Sequence, residues 1–506
     1  MSETVLILDF GAQYNQLIAR RVREAHVFCE VVPGNISAQD VRQKDPAAII
    51  LSGGPASVFE TDAPGMDPAI LSLGVPTLGI CYGMQLMAYL LHGTVRPAER
   101  REYGRTTMTV VQSTPLFARI PEVSTVWMSH GDHVQRVPEG FQILSSTDTT
   151  PVAAMADPAR NLWAVQYHPE VHHTESGFQI LQNFLYDIAR IPPNWKPAQF
   201  IPDAVRQIRE KVGEGKALIA LSGGVDSAVA AALAQKAIGS RLIALLIDNG
   251  LMREGEIEEV LAAFPFLDLR VVRRQDVFFG ALEGVSDPET KRKIIGREFI
   301  RAFEQEKKAI GPVDVLIQGT VYPDVIESGG KTARTIKSHH NVGGLPEDIG
   351  FEIVEPLRWL FKDEVRQTGE ALGLPETIVW RQPFPGPGLA VRIMGAVTPE
   401  KVAILRKADA IVRQEIRRAG LERSVWQAFA VLVDVRTVGV MGDERTYGFP
   451  VVIRAVESSD GMTADWARLP YDLLEKMASR IVGEVAEVNR VVYDVTSKPP
   501  GTIEWE

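Results

Sequence analysis

Three short stretches carry residue types at spacings suited to chemistry. The first is Gly79-x-Cys81-x-Gly83, at the end of the apolar run Val75 to Ile80. Small neighbours permit a sharp strand-to-helix turn that lifts a thiol clear of a sheet, and the helix start favours negative charge on sulfur. A cysteine nucleophile needs a base, and the base needs an orienting partner. His168-Pro169-Glu170, closing the run Leu162 to Tyr167, offers both. The third stretch is Ser222-Gly223-Gly224-Val225-Asp226-Ser227, between the apolar run Leu218 to Leu221 and an Ala-rich helix. Paired glycines turn backbone N–H groups inward, and the first turn of the helix adds unpaired donors, so a polyphosphate would sit there. The turn lacks the lysine of GxxxxGK[ST], which implies a different phosphate chemistry. Asp226 is the first choice for a magnesium ligand among the phosphates.

Other candidates are weaker on residue type alone. Ser52-Gly53-Gly54-Pro55 is a backbone turn at a strand end. Cys29, inside the run Val27 to Val32, reads as a core thiol. His172 and His173 fit a solvated loop better than a metal site, and the adjacent His339 and His340 lack zinc-ligand spacing. Lys337 to Pro346 is Gly-rich, polar and basic, suited to a lid. Lys362 opens an amphipathic helix, where it either reaches phosphates or pairs with the carboxylates beside Arg366. Asp324, at the end of the run Val313 to Ile317, reads as a metal-side carboxylate or a helix cap.

These stretches must be held by elements of two kinds. Short β-branched runs at Val5 to Leu8, Val27 to Val32, Ala47 to Leu51 and Val75 to Ile80 alternate with helical segments, which predicts a parallel sheet covered on both faces. Sites in such sheets gather at the carboxyl ends of strands. Pro192, Pro193, Pro197 and Pro202 then mark a semi-rigid linker, after which a second α/β pattern begins. Pro383-Phe384-Pro385-Gly386-Pro387 marks another boundary, followed by a helix over Pro399 to Arg418 and a few strands. The expected fold is therefore α/β, with two parallel-sheet α/β domains over residues 1–193 and 194–382 and a small α+β domain over 383–506. A small domain with few strands predicts an edge or face buried in a partner.

Length and composition agree with this division. A chain of 506 residues suits roughly three domains at about 150 residues each. The 54 basic and 64 acidic side chains, a formal charge of −10, argue against a general nucleic-acid binder. Two cysteines are too few for a disulfide framework, which points to a reducing cytoplasm. Neither a leader pattern nor a membrane-length apolar run is present.

The first 190 residues or so, with Gly-x-Cys-x-Gly, His-Pro-Glu and Trp127-Met128-Ser129-His130-Gly131-Asp132, resemble the class I (triad) glutamine amidotransferases. That resemblance implies that Cys81 attacks the glutamine amide, that His168 moves the proton and that Glu170 holds the imidazole. It also implies an oxyanion hole at the N–H groups of Gly54 and Tyr82, with Gln85 and His130 on the glutamine. Ser222 to Ser227 resembles the loop of the N-type ATP pyrophosphatases, the adenine nucleotide α-hydrolase-like fold, and implies that ATP is held by that hexapeptide and Lys362. With the closing Lys498-Pro499-Pro500-Gly501-Thr502-Ile503-Glu504-Trp505-Glu506, the order of modules resembles the ligases that join both activities to aminate a purine nucleotide. This implies adenylation of xanthosine 5'-monophosphate (XMP) at its C2 oxygen, displacement of AMP by ammonia to give GMP, and Mg²⁺ accompanying ATP without a tightly bound organic cofactor. It further implies a homodimer through the C-terminal domain and XMP contacts from Arg292, Lys498, Ile503 and Glu504. Two rival enzymes share the loop. A tRNA-modifying pyrophosphatase would want a basic face or a further cysteine, and an NAD synthetase usually carries a nitrilase-like glutaminase. A glutamine sensor would have no reason to keep the triad and the phosphate loop together.

Overall fold

The computed structural model describes the chain apart from residues 1–2, 13–14, 329–351, 442, 459–460 and 462. The lid expected at Lys337 to Pro346 lies outside the described residues. The chain divides into two compact units, Met1–Gln199 and the chain from Phe200 onward, each described here by itself. The division falls within the proline-broken stretch.

The first unit is built on nine strands: β1 (Thr4–Asp9), β2 (Phe28–Pro33), β3 (Ala48–Leu51), β4 (Thr77–Ile80), β5 (Thr94–Val110), β6 (Val123–Arg136), β7 (Gln142–Ser146), β8 (Ala154–Asp157) and β9 (Leu162–Val165). Their order is β2-β1-β3-β4-β9-β8-β7-β5-β6. The first five in that order are parallel, and β3, β4 and β9 are buried along their whole length, as both-face coverage requires. The sheet then continues antiparallel through β8, β7, β5 and β6, so it is mixed rather than wholly parallel. Burial along β6 alternates over Val123 to His130, which is how an antiparallel strand keeps one face on the core and one solvated. Leu6, Leu8, Ile49, Leu51, Met84 and Met87 anchor one of the cores.

The second unit contains a five-stranded parallel sheet of β10 (Ala217–Ala220), β11 (Leu242–Asp248), β12 (Asp268–Arg273), β13 (Val315–Ile317) and β14 (Glu352–Val354), ordered β12-β11-β10-β13-β14. The chain leaves β10 toward β11 on one side and later returns to β13 on the other, so the loop after β10 sits at a topological switch point. The helix Val225–Ile238 that follows is buried nearly all round, which its six alanines permit. Helix Lys362–Ala371 packs on it.

A second sheet in this unit comprises β15 (Ile393–Met394), β16 (Gln427–Val433), β17 (Thr437–Met441), β18 (Glu444–Glu457), β19 (Asp465–Trp466) and β20 (Val488–Asp494), with β18 at its centre. Thr398 caps helix Pro399–Arg418 through the Lys401 N–H, and proline occupies its first turn, so this helix begins where the sequence indicates. One buried cluster runs from Leu218, Leu245 and Leu251 through Leu389 and Ile393 to Leu405 and Met477, joining the two sheets.

The turn after β4 is tightly packed. A Cβ on Gly83 would lie 2.4 Å from the Leu51 carbonyl oxygen, whereas one on Gly65 would meet nothing within 4 Å. Gly83→Ala is therefore expected to destabilise the unit by about 1–3 kcal/mol, read as a lower thermal midpoint, while Gly65→Ala should stay within about 0.5 kcal/mol.

Candidate active sites

The pairing of β4 with β9 brings the first constellation together. Cys81 follows β4 and its N–H donates to Val165 O of β9 at 2.8 Å, while His168 stands just beyond the end of β9. Cys81 is held at φ 50°, ψ −106°, a conformation that residues with a Cβ seldom adopt and that aims the thiol away from the strand. His168 Nδ1 lies 2.7 Å from Glu170 Oε1, and its ring also hydrogen-bonds the Cys81 side chain. Burial opposes a charge on His168, but Glu170 and then Cys81 outweigh it and hold the imidazole well above its ordinary pKa of 6.5. Thr174 Oγ1 donates to His168 O at 2.6 Å and Arg21 Nε to Glu170 O at 3.0 Å, fixing both backbones.

Cys81, His168, Gly54, Gln85, Ser129 and Asp132 line a cleft of about 590 Å³. Among the described residues, neither the Gly54 nor the Tyr82 N–H has a backbone acceptor, the latter because the first turn of a helix has none of its own. Tyr82 Oη donates to Pro64 O at 2.6 Å, and burial pushes the phenol up to about 12. The Gln85 amide nitrogen donates to Asp132 O at 2.7 Å and to Gln166 Oε1 at 3.3 Å. His130 contributes to the cleft wall while its Nε2 meets Glu102 Oε2 at 3.2 Å; burial lowers its proton affinity and Glu102 partly restores it. Polar groups of Gln85 and His130 thus already serve the protein.

Two residues of this site carry no signal in the sequence. Gln166, fully buried, donates to Cys81 Sγ at 3.7 Å. Glu102 lies inside the polar strand β5 and is held by Thr147 at 3.0 Å, Thr150 at 2.8 Å and Thr149. Those threonines are 45 to 48 positions away. Cys29 is buried with its thiol on Ala19 O, while His172 and His173 are exposed.

The second constellation surrounds the loop after β10. Ser227 Oγ accepts the Ser222 N–H at 3.3 Å and donates to Gly224 O at 3.0 Å, and Ser222 Oγ accepts the Gly224 N–H at 3.3 Å. The hydroxyls thereby tie the loop to the helix start at Val225. Gly223 has φ 77°, and its carbonyl accepts a hydrogen bond from Arg381 Nη1 at 2.7 Å. Leu221 to Asp226, Asn249, Lys362, Arg366, Arg381 and Phe384 are among the residues around a cavity of about 260 Å³. Lys362 Nζ is 2.5 Å from Asp226 Oδ2, so it pairs with the loop carboxylate and not with the neighbours of Arg366. Asp226 Oδ1 is buried and has no hydrogen-bond partner, an orphaned oxygen of the kind a magnesium ion accepts. Asp324 Oδ2 accepts the Val321 N–H at 3.3 Å, as a helix cap would. Arg366, which the sequence marks only as a neighbour of carboxylates, and Arg381 both face this cavity, and neither belongs to a recognisable motif.

The third constellation is the carboxyl tail. Glu504 is gripped by Arg392 through Nε at 3.0 Å and Nη2 at 2.8 Å, and by Gln427 Nε2 at 2.7 Å. Arg392 is buried under the Phe429 ring, 3.9 Å from its centroid, and although burial opposes its charge, Glu504 and Asp409 raise its proton affinity. Ile503 packs against Phe429, Val431 and Val452. Arg292 donates to the main-chain oxygen of Glu506, whose side chain meets the buried Lys291. At the other end of the tail, Lys498 Nζ donates to Gly461 O at 2.8 Å. Arg292, Ile503 and Glu504 are thus gathered by the docked tail, while Lys498 anchors its start.

Three family models match in succession: glutamine amidotransferase class-I over residues 6–188, NAD synthase over 198–272, and GMP synthase C terminal domain over 414–505. The NAD synthase match is confined to the stretch holding the phosphate loop. A protein named GMP synthase [glutamine-hydrolyzing] from Carboxydothermus hydrogenoformans is 58% identical over 509 residues, covering 100% of both chains. Proteins of the same name are 59% identical in Symbiobacterium thermophilum, covering 100% of this chain and 99% of theirs, and 58% identical in a Parafrankia species, covering 100% and 97%. With likeness at this level from end to end, the chain belongs to the glutamine-hydrolysing GMP synthase family.

Proposed function

We propose how the clefts divide the work of a glutamine-hydrolysing GMP synthase, which uses glutamine, ATP and XMP. The hydrogen-bonded series Cys81, His168, Glu170 in an open cleft carries the reading, since one chain also holds a phosphate cradle without a Walker lysine. In the first cleft Cys81 Sγ attacks the side-chain carbonyl of glutamine. The tetrahedral oxyanion takes the N–H groups of Gly54 and Tyr82. His168 passes a proton to the departing ammonia and Glu170 stabilises the imidazolium. Water then cleaves the thioester to glutamate. Gln85 and His130 hold the amino-acid end of glutamine through the groups their internal bonds leave over.

In the second cleft the XMP C2 oxygen attacks the α-phosphorus of ATP and pyrophosphate leaves. The N–H groups of Gly223, Gly224 and Val225, with Ser222, Ser227 and Lys362, bear the developing charge. When bound, Mg²⁺ supplies charge neutralisation on the phosphates, held by Asp226 Oδ1. Ammonia adds at C2 and AMP departs, giving GMP. Arg292, Lys498, Ile503 and Glu504 form the XMP side; the gathering of three of them by the tail supports this.

A homodimer through the C-terminal sheet is supported by Val438, Val440 and Tyr447, which stand 51%, 73% and 64% exposed on the β17–β18 hairpin. Cytoplasmic residence rests on the cysteine usage; no described helix is long and apolar enough to cross a membrane.

Cys81→Ala is expected to abolish glutamine-dependent GMP formation while leaving synthesis from ammonium salts; loss of both would overturn the two-cleft assignment. Glu170→Gln should lower glutamine turnover by about 10²–10⁴-fold and spare the ammonia reaction. Asp226→Ala should end pyrophosphate release with either nitrogen source, as measured by a coupled phosphate assay; retained release would move adenylation elsewhere.

A further inference from the structure

A second, smaller cavity in the unit from Phe200 onward has no part in the steps above. It measures about 160 Å³, and its lining includes five arginines, Arg253, Arg381, Arg413, Arg417 and Arg423, against three glutamates. Two further carboxylates stand behind that lining, Glu256 at Arg253 and Asp409 3.1 Å from Arg413, so acids match the arginines in number and net charge alone does not mark the cavity. It is smaller than the cavity of about 260 Å³ at the phosphate loop, and a small ion would fill it.

Arg253 is the residue that needs explaining. Its side chain is 4% exposed, and its Nε and Nη2 are buried without a hydrogen-bond partner. The guanidinium stacks on Phe384 at 4.3 Å, and its nearest carboxylate oxygen, Glu256 Oε1, is 3.6 Å from Nη2, beyond hydrogen-bond distance. That same oxygen lies 3.3 Å from Arg381, so one buried carboxylate is shared by two cations. Burial holds Arg253 down to about 10, which leaves it charged at neutral pH. A buried donor with no acceptor carries the full cost of its desolvation, and an oxyanion supplies the missing acceptors.

The other arginines frame the entrance. Arg417 and Arg423 are 60% and 63% exposed, each held on one glutamate, Glu422 and Glu376. Arg423 also stacks on Trp380 at 5.1 Å. Arg381 belongs to both cavities, since it lines this one and donates to Gly223 O of the phosphate loop. Planar guanidinium forks match phosphoryl oxygens in pairs, which favours phosphate over a monovalent ion.

We propose that this cavity binds a small phosphoryl oxyanion, inorganic phosphate or pyrophosphate, at a site separate from the phosphate loop and joined to it by Arg381. The proposal does not depend on the roles given to Cys81 or Asp226. Inorganic phosphate and pyrophosphate distinguish the two sources, a solution anion and the reaction's own product. The test is calorimetric titration of the full-length protein with each anion, at constant ionic strength, with the phosphate loop filled by α,β-methylene-ATP and magnesium chloride.

At least one anion is expected to bind under these conditions, and Arg417→Gln and Arg423→Gln are each expected to weaken it by about tenfold, the effect of one lost charge-assisted hydrogen bond. Arg253→Met should remove it. Binding of pyrophosphate alone would identify the product as occupant; binding of both would identify a general phosphoryl site. Absence of binding once the analogue is present, or affinity in both rim variants unchanged from that of the unsubstituted protein, overturns the proposal. Should Arg253→Met fail to fold by circular dichroism, the rim variants still decide.

Discussion

Parallel strand register is the constraint on which both clefts depend. In the first unit Ile80 of β4 pairs with Val165 of β9, so Cys81 and His168 emerge side by side past the strand ends. A slip of one residue would reverse which face each side chain takes and separate thiol from imidazole. In the second unit Ile219 of β10 is flanked by Ala244 of β11 and Ile317 of β13, and the loop that follows lies between two diverging crossovers. Backbone hydrogen bonds set these registers and buried aliphatic side chains hold them. The chemistry at the strand ends inherits their precision.

The two clefts handle charge in opposite ways. In the first, a nearly sealed carboxylate, Glu170 at 1% exposure, faces a buried imidazole, and low local polarity strengthens their attraction. Glu170 favours the proton on the ring against the opposing effect of burial. In the second, Asp226 meets Lys362 at a partly open position, where such a pair contributes little to stability and is readily exchanged for phosphate and metal. One arrangement keeps a proton in place; the other keeps a cation and a carboxylate close to where polyanions arrive.

A similar logic runs through the tail. Arg392, Arg454 and Lys291 are fully or almost fully buried, yet each finds its acceptors in the last residues of the chain or beside them. Arg454 donates to Thr496 O at 2.5 Å and Thr502 O at 3.1 Å. Truncation would strand these cations in the core. A terminus that ordinarily frays is therefore docked by buried cations.

Much of this is legible in the amino-acid sequence. Gly79-x-Cys81-x-Gly83, His168-Pro169-Glu170 and Ser222 to Ser227 are local patterns in which backbone conformation, side-chain chemistry and strand periodicity coincide within a few residues, so the sequence by itself determined which groups stand at strand ends. The α/β class followed from short β-branched runs alternating with helices. The antiparallel extension through β5 to β8 did not, because β5 and β6 are long and rich in polar residues while β7 and β8 are only 5 and 4 residues long. Nor could periodicity reveal that Gln85 and His130 already serve Asp132 and Glu102, that Lys362 meets Asp226, or that Arg381 braces Gly223 from 158 positions away. Those pairings are made across sheets and between helices, where distance along the chain carries no information, and only packing decided them.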